Sequence, residues 1–180
     1  MDDFLLRLYL KQVKEECESA FSAIEAFNNA VQSSGAADPF ASAHSFIHNA
    51  AAVSRIFWPP RGKDKHSSQR SQRRGEALRK AIDLPSAHAV QNRVLRDHFE
   101  HFDERLDDWA ERSKNRNIVH HLLGPRNAIG GNAISDEDII HHYDPATKIY
   151  AFRGEKFDLQ SLATGINDVF VKITAKLNTP

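Results

Sequence analysis

Between residues 6 and 31, large apolar side chains recur at alternating spacings of four and three: Leu6, Leu10, Val13, Cys17, Ala20, Ile24, Phe27 and Val31. Lys, Glu, Gln and Ser fill half of the positions between them. That period puts every member of the series on one stripe of a long amphipathic helix. A stripe of this length can be buried only against elements of similar length, so the rest of the chain is expected to supply further helices. The segment SSGAADP then supplies Gly35 and Pro39 as stop signals.

A second helix is expected from Pro39 to Phe57, with Phe40, Ala43, Ile47, Ala50 and Phe57 turned inward. The run Ala50, Ala51, Ala52 permits close approach by a neighbour. WPPRG at 58–62 ends this helix, because proline lacks an amide hydrogen and clashes with the preceding turn. The aromatic tip Phe57–Trp58 reads as a plug at the helix end.

Residues 59–75, PPRGKDKHSSQRSQRRG, differ in character. Arg61, Lys63, Lys65, Arg70, Arg73 and Arg74 face a single acid, Asp64, without apolar periodicity. The stretch reads as a loop: either a solvated connector or a phosphate-attracting arm, since clustered Lys and Arg release counterions on meeting a nucleic-acid backbone. A short helix over roughly 75–83 precedes Pro85, and Ser86 can cap a long helix reaching about Ser113. Its stripe is Leu95, Phe99, Phe102, Leu106 and Trp109.

A glycine-containing loop, GPRNAIGGN, comes next, followed by an expected short helix at SDEDIIHH with Ser135 as N-cap. TKIYAF and EKFDL flank Arg153-Gly154 and predict a small β-hairpin. Leu159, Leu162, Ile166, Val169, Ile173 and Leu177 close the chain with a final helix, Asp158 its expected cap. The expected fold is thus mainly α: an up-and-down bundle of four to six helices, with a small C-terminal hairpin before the last helix. A single domain is expected over residues 1–180, its core bundle at about 3–113 and the appended hairpin and helix at about 135–178.

Charge excludes little. Lys+Arg and Asp+Glu both total 24, so any polyanionic partner has to be held by a local patch. The apolar runs are far too short for a membrane span, and the start MDDF is acidic where a signal peptide is basic; a cytoplasmic protein without membrane contact is expected. The one cysteine, Cys17, lies on the first apolar stripe and reads as a buried, inert thiol.

The candidate chemistry sits in LRDHFEHFDERLDDWAERS, residues 95–113. With the core stripe of that helix facing inward, His98, His101 and Arg105 share one flank and Arg96 lies on the other. Histidine near neutral pH suits proton transfer, and a neighbouring arginine stabilises developing negative charge. The competing reading is an ordinary solvated flank, with Asp103, Asp107 and Asp108 pairing with these bases. Ten histidines include the pairs His120/His121, His141/His142 and His44/His48, but no H-E-x-x-H motif or cysteine cluster accompanies them. Adjacent histidines diverge on a helix, so neither a metal site nor a cofactor is expected.

Arg96-Asp97-His98-Phe99-Glu100-His101 resembles the signature of the HEPN superfamily of small helical-bundle proteins, an Arg, a polar residue, and a His a few positions on. Arg116-Asn117-Ile118-Val119-His120-His121 is a second copy of the same form. The phrase HFDERLD and the hairpin DPATKIYAFRGEKFDL also resemble a set of uncharacterised bacterial proteins, a likeness that brings no activity. The HEPN resemblance implies a metal-independent endoribonuclease, or a toxin-like RNA-cleaving protein, with Arg96, Asp97 and His101 as its site. His98, Arg105, Arg116, Asn117 and His121 are the secondary candidates. Arg96 and His101 fall about 140° apart on a straight helix. The HEPN resemblance implies a homodimer, in which a two-fold axis places two motifs side by side and removes this difficulty. The alternative implied by the same resemblance is a non-catalytic adaptor or antitoxin-like module that binds a protein partner.

Overall fold

A computed structural model describes residues 1–33, 38–60, 64–91 and 101–179. Among them are five α-helices and one four-stranded sheet: α1 (Asp3–Gln32), α2 (Pro39–Phe57), α3 (Lys65–Ala81), α4 (Phe102–Arg112), β1 (Val119–Leu123), β2 (Ile139–Asp144), β3 (Ile149–Phe152), β4 (Glu155–Phe157) and α5 (Leu159–Leu177). The chain divides into two compact units, Met1–Asn92 with Ser161–Pro180, and Arg93–Gln160. The last helix therefore groups, from Ser161 on, with the first three helices, and the strands group with α4. No described helix is long and apolar enough to cross a membrane.

In the first unit, the stripe read in the sequence is the core. Leu10, Val13, Cys17, Ala20 and Phe27 of α1 are buried, with Leu6, Ile24 and Val31 at its half-exposed margin. Burial also pushes the Cys17 thiol up to about 12, leaving it neutral and unreactive. α1 packs chiefly on α2, whose Phe40, Ala43, Ile47, Ala50 and Phe57 are all buried. Asp2 and Asp38 start these helices by accepting the Leu5 and Phe40 amides at 2.8 and 2.9 Å. α5 runs opposite to α1: Arg7 donates to the Leu177 and Thr179 carbonyls, and Phe21 meets Phe170 edge-on at 5.3 Å.

The basic stretch is mostly helix rather than loop. Asp64, the lone acid of that stretch, is the N-cap of α3 and accepts the Ser67 amide at 2.8 Å. Only Gly75 and Leu78 of α3 are buried, so the helix carries almost no apolar period to be read. Ser86 does not head a helix: its carbonyl accepts the Trp58 indole N–H at 3.0 Å, and a single 3-10 turn, Ala89–Gln91, follows. Trp58 and Pro59 are buried beside Phe57, as a plug at a helix end should be.

In the second unit the segment expected to be helical at 135–142 is a 3-10 turn, Asp136–Asp138, that runs straight into β2. Ser135 does serve as its cap, in a capping box with Asp138. β-Branched and aromatic residues (Ile139, Ile140, Tyr143) then favour the extended chain. β3 and β4 pair antiparallel across Arg153-Gly154, both with positive φ (48° and 81°), as a tight two-residue connection requires. They are two strands of a larger sheet, ordered β1-β2-β3-β4, in which β1 and β2 are parallel.

Gly75 marks where α3 crosses the end of α2: a Cβ there would strike the Phe57 carbonyl and lie 2.8 Å from Pro59 Cδ. Glycine to alanine in a helix interior is ordinarily stabilising by about 1 kcal/mol. Here Gly75→Ala is expected to destabilise, by about 1–3 kcal/mol as for other overpacked sites, measured by urea unfolding. A gain in stability would show that α3 does not approach α2 at this point.

Candidate functional site

Two surfaces gather the residues singled out in the sequence. The first lies in the second unit. α4 is held by Phe102, whose ring sits 5.9 Å from that of Phe152, and by Trp109, whose indole N–H donates to buried Asp138 at 2.8 Å. Asp138 also accepts the Ser135 amide at 2.7 Å and its hydroxyl at 2.9 Å. With the 102–106–109 stripe turned to the sheet, His101, Arg105, Asp108 and Arg112 share another face at spacings of four, three and four. They line a cleft of about 560 Å3, closed from the other side by Glu137, Arg153 and Glu155.

Inside that cleft His101 is half-exposed, its Nδ1 3.1 Å from Glu104 Oε2. Arg153 donates through its guanidinium to the Arg105 carbonyl. Burial pulls the Arg153 pKa below its usual value; Glu137 opposes the shift, and the like charges of Arg112 and Arg105 add to it. An arginine nevertheless stays protonated throughout the neutral range. The cleft thus holds an imidazole able to move a proton and three guanidinium groups able to receive an anion, among four carboxylates.

His101 and Arg105 come together as the sequence predicts. Arg112 and Arg153 join them unforeseen: Arg112 falls beyond the motif, and Arg153 was legible only as a turn residue. Arg96, Asp97 and His98 lie outside the described residues. The second motif copy is not on a helix. Arg116 occupies a turn with φ of 49°, its amide donating to Ser113 Oγ at 3.1 Å, and Asn117 donates to the Ala133 carbonyl at 3.2 Å. His121 sits on β1, opposite His141 of β2.

The second surface belongs to the first unit. Arg70, Arg73 and Arg74 of α3 form one wall of a groove of about 580 Å3, with Met1 and, from α1, Leu5 and Tyr9 as the other. The Arg74 guanidinium lies 5.1 Å from the Tyr9 ring centroid, a cation–π contact that fixes both side chains. Arg70 and Arg73 are exposed. A shallower groove of about 390 Å3, running toward Arg55 and Pro60, shares Tyr9, Arg70 and Arg74. Lys65 lies about one and a half to two and a half turns before these arginines on α3, whereas Arg61 and Lys63 are outside the described residues. Among the described residues no three His, Cys, Asp or Glu side chains group as a metal cage.

No family model, curated protein or solved structure matches the chain.

Asp138 carries the geometry of the cleft, and its ionisation reports on it. Burial works to raise its pKa, but the bonds from Trp109 and Ser135 and the charge of Arg126 outweigh this and hold it below the ordinary carboxylate value. A depressed native pKa contributes stability that is complete above the unfolded value, about 3.9, and is lost as pH falls through the native value. Asp138→Asn should therefore lower stability at pH 7 by about 1–3 kcal/mol and flatten the decline below pH 4. Thermal unfolding from pH 2 to 7 measures both; parallel acid limbs in variant and wild type would contradict this role.

Proposed function

We propose that the chain is an RNA-binding protein whose α1–α3 groove grips the strand and whose His101 cleft is the place of cleavage. The observation that carries the reading is the groove itself: arginines in register on one wall and an aromatic ring on the other. Guanidinium groups track a phosphate backbone, and an aromatic face stacks on bases of any identity. An unpaired single strand is the form that offers both at once.

The HEPN resemblance supports the catalytic half. His101 would take the proton of the 2′-hydroxyl as it attacks the adjacent phosphorus, or return one to the leaving 5′-oxygen. Arg105 and Arg153 would stabilise the charge on the phosphoryl oxygens. Arg105, one turn from His101, relieves the angular difficulty that Arg96 presents. A homodimer, completing the site with Arg96 and Asp97 of a second copy, remains part of the proposal. One observation favours a non-catalytic binding module instead: Glu104 holds His101, and Asp108, Glu137 and Glu155 share its cleft.

Binding is tested by fluorescence anisotropy with a single-stranded oligoribonucleotide across a salt series. Arg70→Gln/Arg73→Gln should bind more weakly and reduce the slope of log K against log salt by about 1.4, two contacts at roughly 0.7 each, with an unchanged circular dichroism spectrum. An unaltered slope would remove the groove from the account. Cleavage is tested in EDTA: strand scission that persists there and disappears in His101→Ala supports the enzyme, whereas binding without scission supports the module.

A further inference from the structure

We propose that His121 and His141 form a cross-strand site for a divalent transition-metal ion of the Zn2+ class. The proposal is independent of the RNA reading and concerns the sheet of the second unit.

On the helix expected from sequence, the histidines of each adjacent pair diverge. As strands, β1 and β2 run parallel with His121 directly opposite His141. Side chains at matched positions of neighbouring strands leave the same face, their backbones about 4.8 Å apart. The two imidazole rings meet edge to face, centroids 5.4 Å apart and planes at 61°. A tetrahedral ion with Zn–N bonds of about 2.0–2.1 Å needs two nitrogens about 3.3 Å apart. Exposed His121 can reach that separation by a change of rotamer.

The second feature is the tautomer. His141 Nδ1 is 2.7 Å from the hydroxyl oxygen of Tyr150, a fully buried side chain on β3. When Nδ1–H donates to that oxygen, Nε2 carries the lone pair, the arrangement that metal-binding histidines obtain from their outer partners. Metal binding selects this tautomer, and Tyr150 holds the ring in place for it. Neutral imidazole nitrogens suit Zn2+, Cu2+ and Ni2+ rather than Mg2+ or Ca2+. The two imidazoles supply two of the four positions of a tetrahedral ion.

The test is calorimetric titration of Zn2+ into the full chain. His44 and His48 lie one turn apart on α2, a spacing at which two imidazoles can share an ion, so the titration is made in the His44→Ala/His48→Ala background. One Zn2+ per chain is expected. His121→Ala, an exposed substitution that the fold tolerates, should weaken it at least tenfold, and Tyr150→Phe, which keeps the ring and removes the hydroxyl, by about 10–100-fold. Imidazole NMR signals of His121 and His141 should shift together on adding Zn2+. Equal affinity in His121→Ala, or shifts in the full chain confined to His44 and His48, would overturn the site.

Discussion

The end of α2 is the point on which the first unit depends. Pro59 and Pro60 stop the helix and bring no amide hydrogens to its last carbonyls. α3 supplies donors instead: Arg79 donates to the Phe57 carbonyl, and Gln72 donates to that of Pro59 at 2.8 Å. The Arg79 guanidinium also lies 5.6 Å from the Trp58 ring, and His88 stacks on that ring at 5.9 Å and 13°. His88 reaches Asp168 of α5 at 3.3 Å. One proline-terminated corner therefore ties α2, α3, the Ala89–Gln91 turn and α5 together.

The position of the basic groove follows from that corner. α3 has too few apolar residues to choose its own packing face, with Gly75 and Leu78 alone buried. Its inward side is instead chosen by the Gly75 crossing and by the polar caps that Gln72 and Arg79 provide. Fixing those positions inward turns Arg70 and Arg73 out to solvent and sets Arg74 against Tyr9. The basic wall of the groove is thus held by contacts that do not use its exposed charges, so neutralising those charges is expected to leave the fold alone.

Sequence patterning revealed the helices that bury a stripe. α1, α2 and α5 each follow a four–three period that names most of their buried residues; Ala30, Phe46 and Val53 are buried outside the residues named, and Leu6, Ile24, Val31 and Leu177 lie at the margin. It found only the last part of α3, as the short helix expected over roughly 75–83, and read the basic first turns as loop for a physical reason: a helix fastened by a cap, a glycine crossing and side-chain-to-carbonyl bonds has no apolar period to detect. It missed β1 and β2 because His120-His121 and His141-His142 read as polar pairs and hide the alternation of a strand. Of the candidate site, His101 and Arg105 were legible from their shared helix face. Arg153 was not, since nothing local tells which helix a turn residue will meet. Within the sheet, pairing matters more than spacing: twenty positions separate His121 from His141 in the chain, and a register match makes them neighbours.

The central claim is that an RNA strand lies between α1 and α3 with a base on Tyr9. Photocrosslinking with a 4-thiouridine-containing oligoribonucleotide, mapped by peptide mass spectrometry, tests it most directly. The account predicts crosslinks on Tyr9 and on the α3 peptides around Arg70–Arg74, abolished by competing unlabelled strand. Crosslinks found only on the peptides of residues 119–157, with none on α1 or α3, would contradict it.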